Sequence, residues 1–418
     1  MYIHFIELDK ISKKLAIMFK IRYIIIILLL SVFACDNLDI SSHQAETFVK
    51  VIGTGSSQIG NDVKEFNGGY LILATVSSEN ENTEIVLMQT NKFGNLLPDG
   101  IDTLSSLRGG NNTASQILLT DDGGFIILGT VVDTAGIDDK NIFLEKFNSS
   151  LVSEGESIFG ESEINEEGVA IKKASSGYII AGSTDIDGDK DIYLVKLDDS
   201  RDLEWDQNHG GAGTDYSSDV IVISSGYVVI GTTNSFNLQP GQANNNIMLV
   251  ETNQTGGSPD FITYGSSNND YGESLVKLDD GGYIILGTVE NLTGDNPSIY
   301  IIRAEDNIHN VLWNAQYEEA LPSHGYDIIK SNGGFVIVGD IELSSGLAAS
   351  FFKIDSEGEI LIGNLVDESR DGLSYGGFGQ KMYSVEQTSD GGYIMVGNSG
   401  EEGNEMISLI KVNSDGEL

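Results

Sequence analysis

The segment "DGGYIILG", residues 280–287, returns as "DGGFIILG" at 122–129 and as "DGGYIMVG" at 390–397. Its aromatic residue recurs as Tyr70, Phe125, Tyr178, Tyr227, Tyr283, Phe335 and Tyr393, at intervals of 55, 53, 49, 56, 52 and 58 residues. Each is preceded by Gly and closed four positions later by Ala74, Gly129, Gly182, Gly231, Gly287, Gly339 or Gly397. A short apolar run bounded by glycine is a buried strand, and a fixed period of about fifty residues marks a repeat architecture. Downstream of each copy lies a second apolar word, as in "DIYLVKLD" at 191 and "NIMLVETN" at 246, then a Gly/Asn/Asp/Ser turn and a third word, as in "LEWDQNHGG" at 203 and "VLWNAQY" at 311. The last two contain Trp205 and Trp313. A weaker stretch, such as "SDVIVIS" at 218, leads back to the next Gly-Tyr, which makes four strands per repeat.

Successive strand residues point to opposite faces, so Tyr283, Ile285 and Gly287 face one way while Ile284 and Leu286 face the other. Both faces are apolar, whereas a two-layer sandwich would leave one of them wet. Sheets stacked face to face in a closed series bury both faces and leave only short edges. The sequence therefore predicts an all-β fold over residues 47–418, a seven-bladed β-propeller of four-stranded antiparallel blades. Its phase adds a closure. The chain ends after the third strand of the seventh repeat, and "TFVKVIG" at 47–53 has no blade of its own. This N-terminal strand is expected to complete the last blade.

The chain has 418 residues, 50 Gly and 5 Pro, with a formal charge of −40. Such acidity repels a polyanion, which excludes nucleic acid as a partner. The stretch "MFKIRYIIIILLLSVFAC" from Met18 carries Lys20 and Arg22, then an apolar run too short for a stable transmembrane helix, and reads as a signal peptide. Residues 1–34 are thus expected to be removed, with Met18 a possible true start; the remainder keeps 18 basic and 61 acidic residues, a charge of −43. Cys35 is the single cysteine, so no intrachain disulfide supports the fold. "DNLDISSHQAE", 36–46, reads as a polar tether, giving a tether over 35–46.

With Val32, Ala34 and Cys35, the end of the apolar run resembles the lipobox of bacterial lipoproteins. The resemblance implies acylation of Cys35 and anchoring to a bacterial membrane, in the cell envelope and most simply the outer membrane; two or three acyl chains suffice for stable anchoring. "DIYLVKLDDSRDLEW" resembles the repeat of quinoprotein-like (PQQ-type) propellers, and the "DGGYIILG" phrase resembles repeats of many exported bacterial proteins, often lipoproteins, that mostly lack an assigned activity. The adjacent cysteines and tryptophan platform of quinone-dependent dehydrogenases are missing, so no PQQ is expected. The chain also resembles the lipoprotein propeller that assists outer-membrane barrel assembly, although that one has eight blades.

Asp185, Asp187, Asp189 and Asp191 in "DIDGDKD" place oxygen ligands at alternate positions around Gly188, which suits Ca²⁺. No glutamate follows at the spacing of an EF-hand, and the other repeats lack the pattern, so an acidic inter-strand turn is the plainer reading. His209 and His324 are expected in connecting loops without a metal or catalytic role. Gln89, Lys146, Lys196, Glu251, Arg303, Lys353 and Lys411 end the third strands with changing charge, as a solvated strand end would. No catalytic residue is identified, and no cofactor beyond the possible calcium. The expected function is a non-enzymatic, lipid-anchored scaffold binding a protein or glycan. The alternatives are a polysaccharide-active enzyme and an assembly factor that binds peptides by strand addition.

Overall fold

A computed structural model describes residues 47–53, 56–77, 82–104, 110–133, 139–186, 188–236, 244–290, 297–317, 323–343, 346–362 and 380–418. Among them every sheet is four-stranded and antiparallel, and there are seven sheets and no helix. The first six run in chain order from the innermost strand outward. The seventh comprises Lys381–Gln387, Tyr393–Ser399 and Met406–Val412, with Phe48–Ile52 added beside the last of these. The expected seal holds, with Phe48 opposite Lys411 and Ile52 opposite Ile407. The innermost strands are Gln58–Phe66, Thr113–Leu119, Asn165–Lys173, Asp215–Ile223, Asn269–Lys277, Ser323–Ser331 and Lys381–Gln387. Each touches its counterparts in both neighbouring blades, and the series returns from the seventh to the first, so the ring is closed.

The core lies between blades rather than within one. Ile284 and Leu286 pack with Ile337 and Phe352 of the following blade, while Tyr283 and Ile285 pack with Val228 and Leu249 of the preceding one. Tyr283, Ile284, Ile285 and Leu286 are all fully buried, which is why the run carries no polar alternation.

The opening aspartate of the repeated phrase has its own task. Oδ1 of Asp122, Asp280 and Asp390 accepts the backbone N–H of Gly124, Gly282 and Gly392, two residues on. The same carboxylates pair with Lys146, Arg303 and Lys411 from the adjacent strand. These cations also donate to the carbonyls of Phe147, Ala304 and Val412. The expectation of solvated strand ends therefore fails for Lys146, Lys196, Arg303 and Lys411, which are 1 to 7 % exposed. Their aliphatic stems lie between blades and cover apolar surface, while the charged heads reach carboxylates and carbonyls at the rim.

The two glycines of the phrase differ in role. Gly281 has φ of 94°, a turn conformation that side chains disfavour. At Gly282 a Cβ would overlap the Arg303 guanidinium and the Ala304 carbonyl. Gly282→Ala is therefore expected to cost about 2 to 3 kcal/mol through displacement of a buried cation. Chemical denaturation of the two proteins checks it, and a loss under about 0.5 kcal/mol, the range of a neutral surface change, would contradict it.

A feature absent from the sequence reading recurs in every blade: the innermost strand carries a β-bulge, for instance between Gly60 and Asp62 and between Gly325 and Asp327. Bulges bend a strand and free backbone groups. Thr75, Thr130 and Thr232 accept N–H groups of Ala114, Gly168 and Gly272 at these bulges, each in the next blade. The threonine after the strand-closing Ala or Gly thus ties neighbouring blades together.

Candidate functional site

The bulges set polar side chains around the axis in two tiers. The deeper tier comprises Asp62, Gln116, Asp219, Ser274, Asp327 and Ser384, each just past its bulge. Asp62, Gln116 and Asp327 reach across to accept the N–H of Ile117, Ile171 and Val385 in the next blade. Ser274 Oγ sits 3.4 Å from Asp219 and 3.3 Å from Asp327, linking three blades. Lys64 lies 2.9 Å from Asp62 and 3.5 Å from Glu386, and Lys172 pairs with Asp219 at 3.0 Å.

Burial would lower the Lys64 pKa, but Asp62 first and Glu386 second outweigh it and push it up. Burial dominates at Glu386, raising it to about 7 despite Lys64. The closer Asp62 is the counterion, so Lys64 stays charged while Glu386 holds a proton near neutrality. Burial likewise raises Asp327 to about 6.

The second tier lies where chain enters the innermost strands of blades five to seven. His324 Nδ1 is 2.9 Å from Asp340 Oδ1, and its Nε2 is 3.2 Å from Glu290 Oε1. Tyr326 donates its hydroxyl to the other Asp340 oxygen at 2.8 Å. The Tyr326 ring stacks on His324 with an interplanar angle of 9° and meets Tyr383 at 5.1 Å between centroids. Lys381 approaches Asp340 at 3.8 Å. Burial lowers the His324 pKa, but Asp340 and then Glu290 outweigh it, so the imidazolium is favoured. Glu273, the bulge residue between Gly272 and Ser274, lies within electrostatic reach of His324 and Glu290. Burial raises it to about 7, His324 opposes the rise and Glu290 adds to it.

Tyr326, Tyr383, His324 and Glu273 all keep partial exposure. Together they form an aromatic shelf flanked by carboxylates, suited to stacking on an apolar ring face while accepting hydrogen bonds from hydroxyl or ammonium groups at its edge. The pair of a near-neutral Glu273 with ionised neighbours also has the form of an acid–base site.

His324 is a strand residue here rather than a loop residue, and so is His209, which ends the strand Leu203–His209 and is buried. Their expected loop placement is corrected, because both lie inside the strand ladders, His209 opposite Ile192 and His324 opposite Asp340. The sequence reading did not single out Asp340, Glu290, Glu273, Tyr326 or Tyr383. A signal existed, because blade six breaks the repeat. Asp340 replaces the blade-linking threonine after Gly339, and His324 stands where blades four and five have Tyr216 and Tyr271.

Of the four aspartates expected to hold calcium, Asp187 lies outside the described residues, as does Cys35. Asp185 is opposite Lys190, and Asp189 is opposite Ile186. Cross-strand partners share a face and adjacent residues do not, so Asp189 and Asp191 point one way and Asp185 the other. No group of three or more His, Cys, Asp or Glu suited to a metal ion occurs among the described residues. The variable loops "NSFNLQPGQANNN", "VENLTGDNPS" and "GGFGQ" fall largely outside the described residues.

No protein-family model matches the chain, and no curated protein sequence matches it. Among solved structures, Drosophila semaphorin 2a aligns with a TM-score of 0.50 and 8% identity, covering 88% of this chain and 75% of that one. A Penicillium chrysogenum α-L-arabinanase complexed with arabinobiose gives 0.49 and 11%, covering 89% and 99%. Acylaminoacyl peptidase of Pyrococcus horikoshii gives 0.48 and 10%, covering 86% of this chain and 52% of the peptidase, so the chain spans about half of that enzyme. At these identities the likeness is one of fold alone.

Proposed function

We propose that this chain is an exported, lipid-anchored propeller that binds a glycan at the axial mouth formed by blades five to seven. The observation that carries the reading is the Tyr326–His324 stack with Tyr383 beside it, bordered by Glu273, Glu290 and Asp340. Sugar rings present an apolar face for aromatic stacking and edge hydroxyls for carboxylates. The rigid ring keeps these groups in place without ligand, which reduces the entropic cost of binding. Acylation of Cys35 would hold the propeller at a bacterial membrane, with 36–46 as the tether.

The test is titration calorimetry of the full chain in detergent against arabinan, xylan, laminarin and chitohexaose. Binding of at least one, weakened tenfold or more by Tyr326→Ala and by Tyr383→Ala, is the expected result; tenfold is about 1.4 kcal/mol. Binding by none, or binding indifferent to both substitutions, overturns the proposal.

A second reading rests on Glu273, whose proton is held to about pH 7 beside Glu290. A carboxylic acid of that kind donates protons to leaving oxygens in glycoside hydrolysis. Release of reducing ends from a bound polysaccharide, lost in Glu273→Gln while binding persists, would convert the scaffold into an enzyme.

A further inference from the structure

Three consecutive blade junctions repeat one arrangement. A glycine ends the blade, and five or six residues later a buried carboxylate, Glu166, Asp215 or Asp270, turns back to accept the N–H that follows this glycine. The bonds are Glu161 N–H to Glu166 at 3.0 Å, Gly211 N–H to Asp215 at 2.8 Å and Ser266 N–H to Asp270 at 2.7 Å. The side chain opposite comes from the third strand of the preceding blade and is Asn141, Asp191 or Asn246. The glycine between them leaves the gap. At Gly160 a Cβ would overlap Asn141 Oδ1 and lie 3.0 Å from Glu166 Oε2; at Gly265 it would lie 2.8 Å from both Asn246 Oδ1 and Asp270 Oδ2. At Gly210 it would overlap Asp191 Oδ1 and lie 2.8 Å from Asp215 Oδ2.

The middle junction differs chemically from its neighbours. Asn141 and Asn246 hold their amides on the carbonyls of Asp139 and Asn244, and Glu166 Oε2 and Asp270 Oδ1 are likewise buried without a hydrogen-bond partner. An asparagine can nevertheless turn its amide toward the facing carboxylate and donate. Asp191 facing Asp215 has no donor to offer. Asp215 is fully buried, and its Oδ2 already takes the Gly211 N–H and the Ser235 hydroxyl. Its Oδ1 and the Oδ1 of Asp191 are both buried without a hydrogen-bond partner. Asp189 shares the face of Asp191 two residues away and adds a third negative charge nearby. Two opposed carboxylates, one fully buried and one half-buried, repel each other unless a counter-charge lies between them.

We infer that the junction of blades three and four binds a hard divalent cation, Ca²⁺ by its all-oxygen surroundings, between Asp191 and Asp215 across Gly210. Carboxylate oxygens are the preferred ligands of that ion, and water completes its shell where protein oxygens do not. The calcium expected in the "DIDGDKD" turn is thereby moved: Asp191 is retained, Asp215 replaces Asp185, and Asp189 contributes field.

The experiment is thermal unfolding of the full chain in detergent, in EDTA, in Mg²⁺ and in Ca²⁺ at equal ionic strength, with calorimetric titration of Ca²⁺. The expected result is one calcium site and a rise of about 3 to 6 °C at a hundredfold excess over its Kd, with little response to Mg²⁺. Asp191→Asn copies the two neighbouring junctions. It is expected to abolish the calcium response and to raise the melting temperature in EDTA. Asp215→Asn should also abolish the response; should it fail to fold, Asp191→Asn alone decides, since Asp191 is half-buried and its replacement keeps the shape. A wild-type protein indifferent to Ca²⁺ overturns the inference. A calcium response that survives in Asp191→Asn overturns it as well, because the ion would then sit elsewhere on this acidic surface.

Discussion

Deletion of residues 47–53 from the full chain is expected to destabilise the propeller by on the order of 5 kcal/mol, or to prevent folding altogether. The strand Phe48–Ile52 makes the last rung of blade seven, opposite Met406–Val412. Its loss leaves one strand edge unpaired and uncovers the seam where Val396, Ile407 and Leu409 meet Val63, Ile72 and Ala74 of blade one. Phe48 also meets Tyr70 edge-on, at 6.1 Å between centroids, and covers the turn at Gly94, while Lys50 donates to Asn95 at 2.9 Å. One short segment therefore holds two blades together. Among the described residues every other sheet is formed by strands consecutive in sequence, so blade seven is the one sheet that joins strands from the two ends of the propeller. The measurement is the denaturation midpoint of the deletion against that of Phe48→Ala, which should lose only about 1 to 2 kcal/mol. Recovery of the lost stability by a synthetic 47–53 peptide added in trans would identify the strand itself as the cause. A deletion that melts with the parent would show that the blades close without it.

The ring and its seal were legible in the sequence because the same physical demand recurs seven times. A strand buried on both faces must be apolar throughout, and the "DGGYIILG" phrase states this at an interval that fixes the blade count. The unassigned "TFVKVIG" then had one place to go. The inner side of each blade was harder to read. The bulges at Gly60–Asp62 and its equivalents depend on a cross-strand mismatch, which is a property of pairing rather than of either strand's composition. The charged residues of the third strands were misplaced for a related reason. Lys146 and Arg303 look like solvated ends, but their partners, Asp122 and Asp280, are 24 and 23 residues away in the turn of the preceding hairpin. The mouth was concealed by averaging. A search for what repeats passes over blade six, where Asp340 and His324 depart from the repeat. In a repeat protein the scaffold resides in the consensus, and chemistry resides where the consensus is broken.

Stability is expected to fall as pH rises from 5 to 8, by roughly 5 kcal/mol, the reverse of an ordinary acidic protein leaving its acid transition. Four carboxyls carry this, Glu166 buried and Glu273, Asp327 and Glu386 half-buried. Burial holds Glu166, Glu273 and Glu386 to about 7 and Asp327 to about 6, against about 4 in an unfolded chain. A folded pKa above the unfolded one means that the folded state binds more protons between those values. The stabilisation is therefore complete below about pH 4 and lost as pH rises through 6 to 7. Each raised pKa corresponds to about 3 to 4 kcal/mol at most, and water reduces it, which brings four groups to the total above. His324 acts in the same sense, since its raised pKa favours the charged form that Asp340 and Glu290 stabilise, and this is lost when the ring deprotonates. The turn carboxylates act oppositely and elsewhere. Asp122 is held below its ordinary range by Thr120, Lys146 and Gly124, and Asp280 by Gly282 and Arg303, so their contribution disappears only below about pH 4. The stability maximum should therefore lie near pH 4, where the turn carboxylates are still ionised and the raised carboxyls still protonated in the folded state. Self-repulsion of the acidic surface has the same sign, and salt separates the two, because about 0.5 M NaCl screens exposed charges but not the desolvation of Glu386 or Glu166. Melting curves at pH 5 and 8 in EDTA and high salt provide the measurement. Glu386→Gln and Glu166→Gln should each flatten the slope, and the exposed Glu401→Gln should not. Equal melting temperatures at the two pH values, or a higher one at pH 8, would mean that these carboxyls ionise freely, and the axis would have to be far wetter than their burial implies.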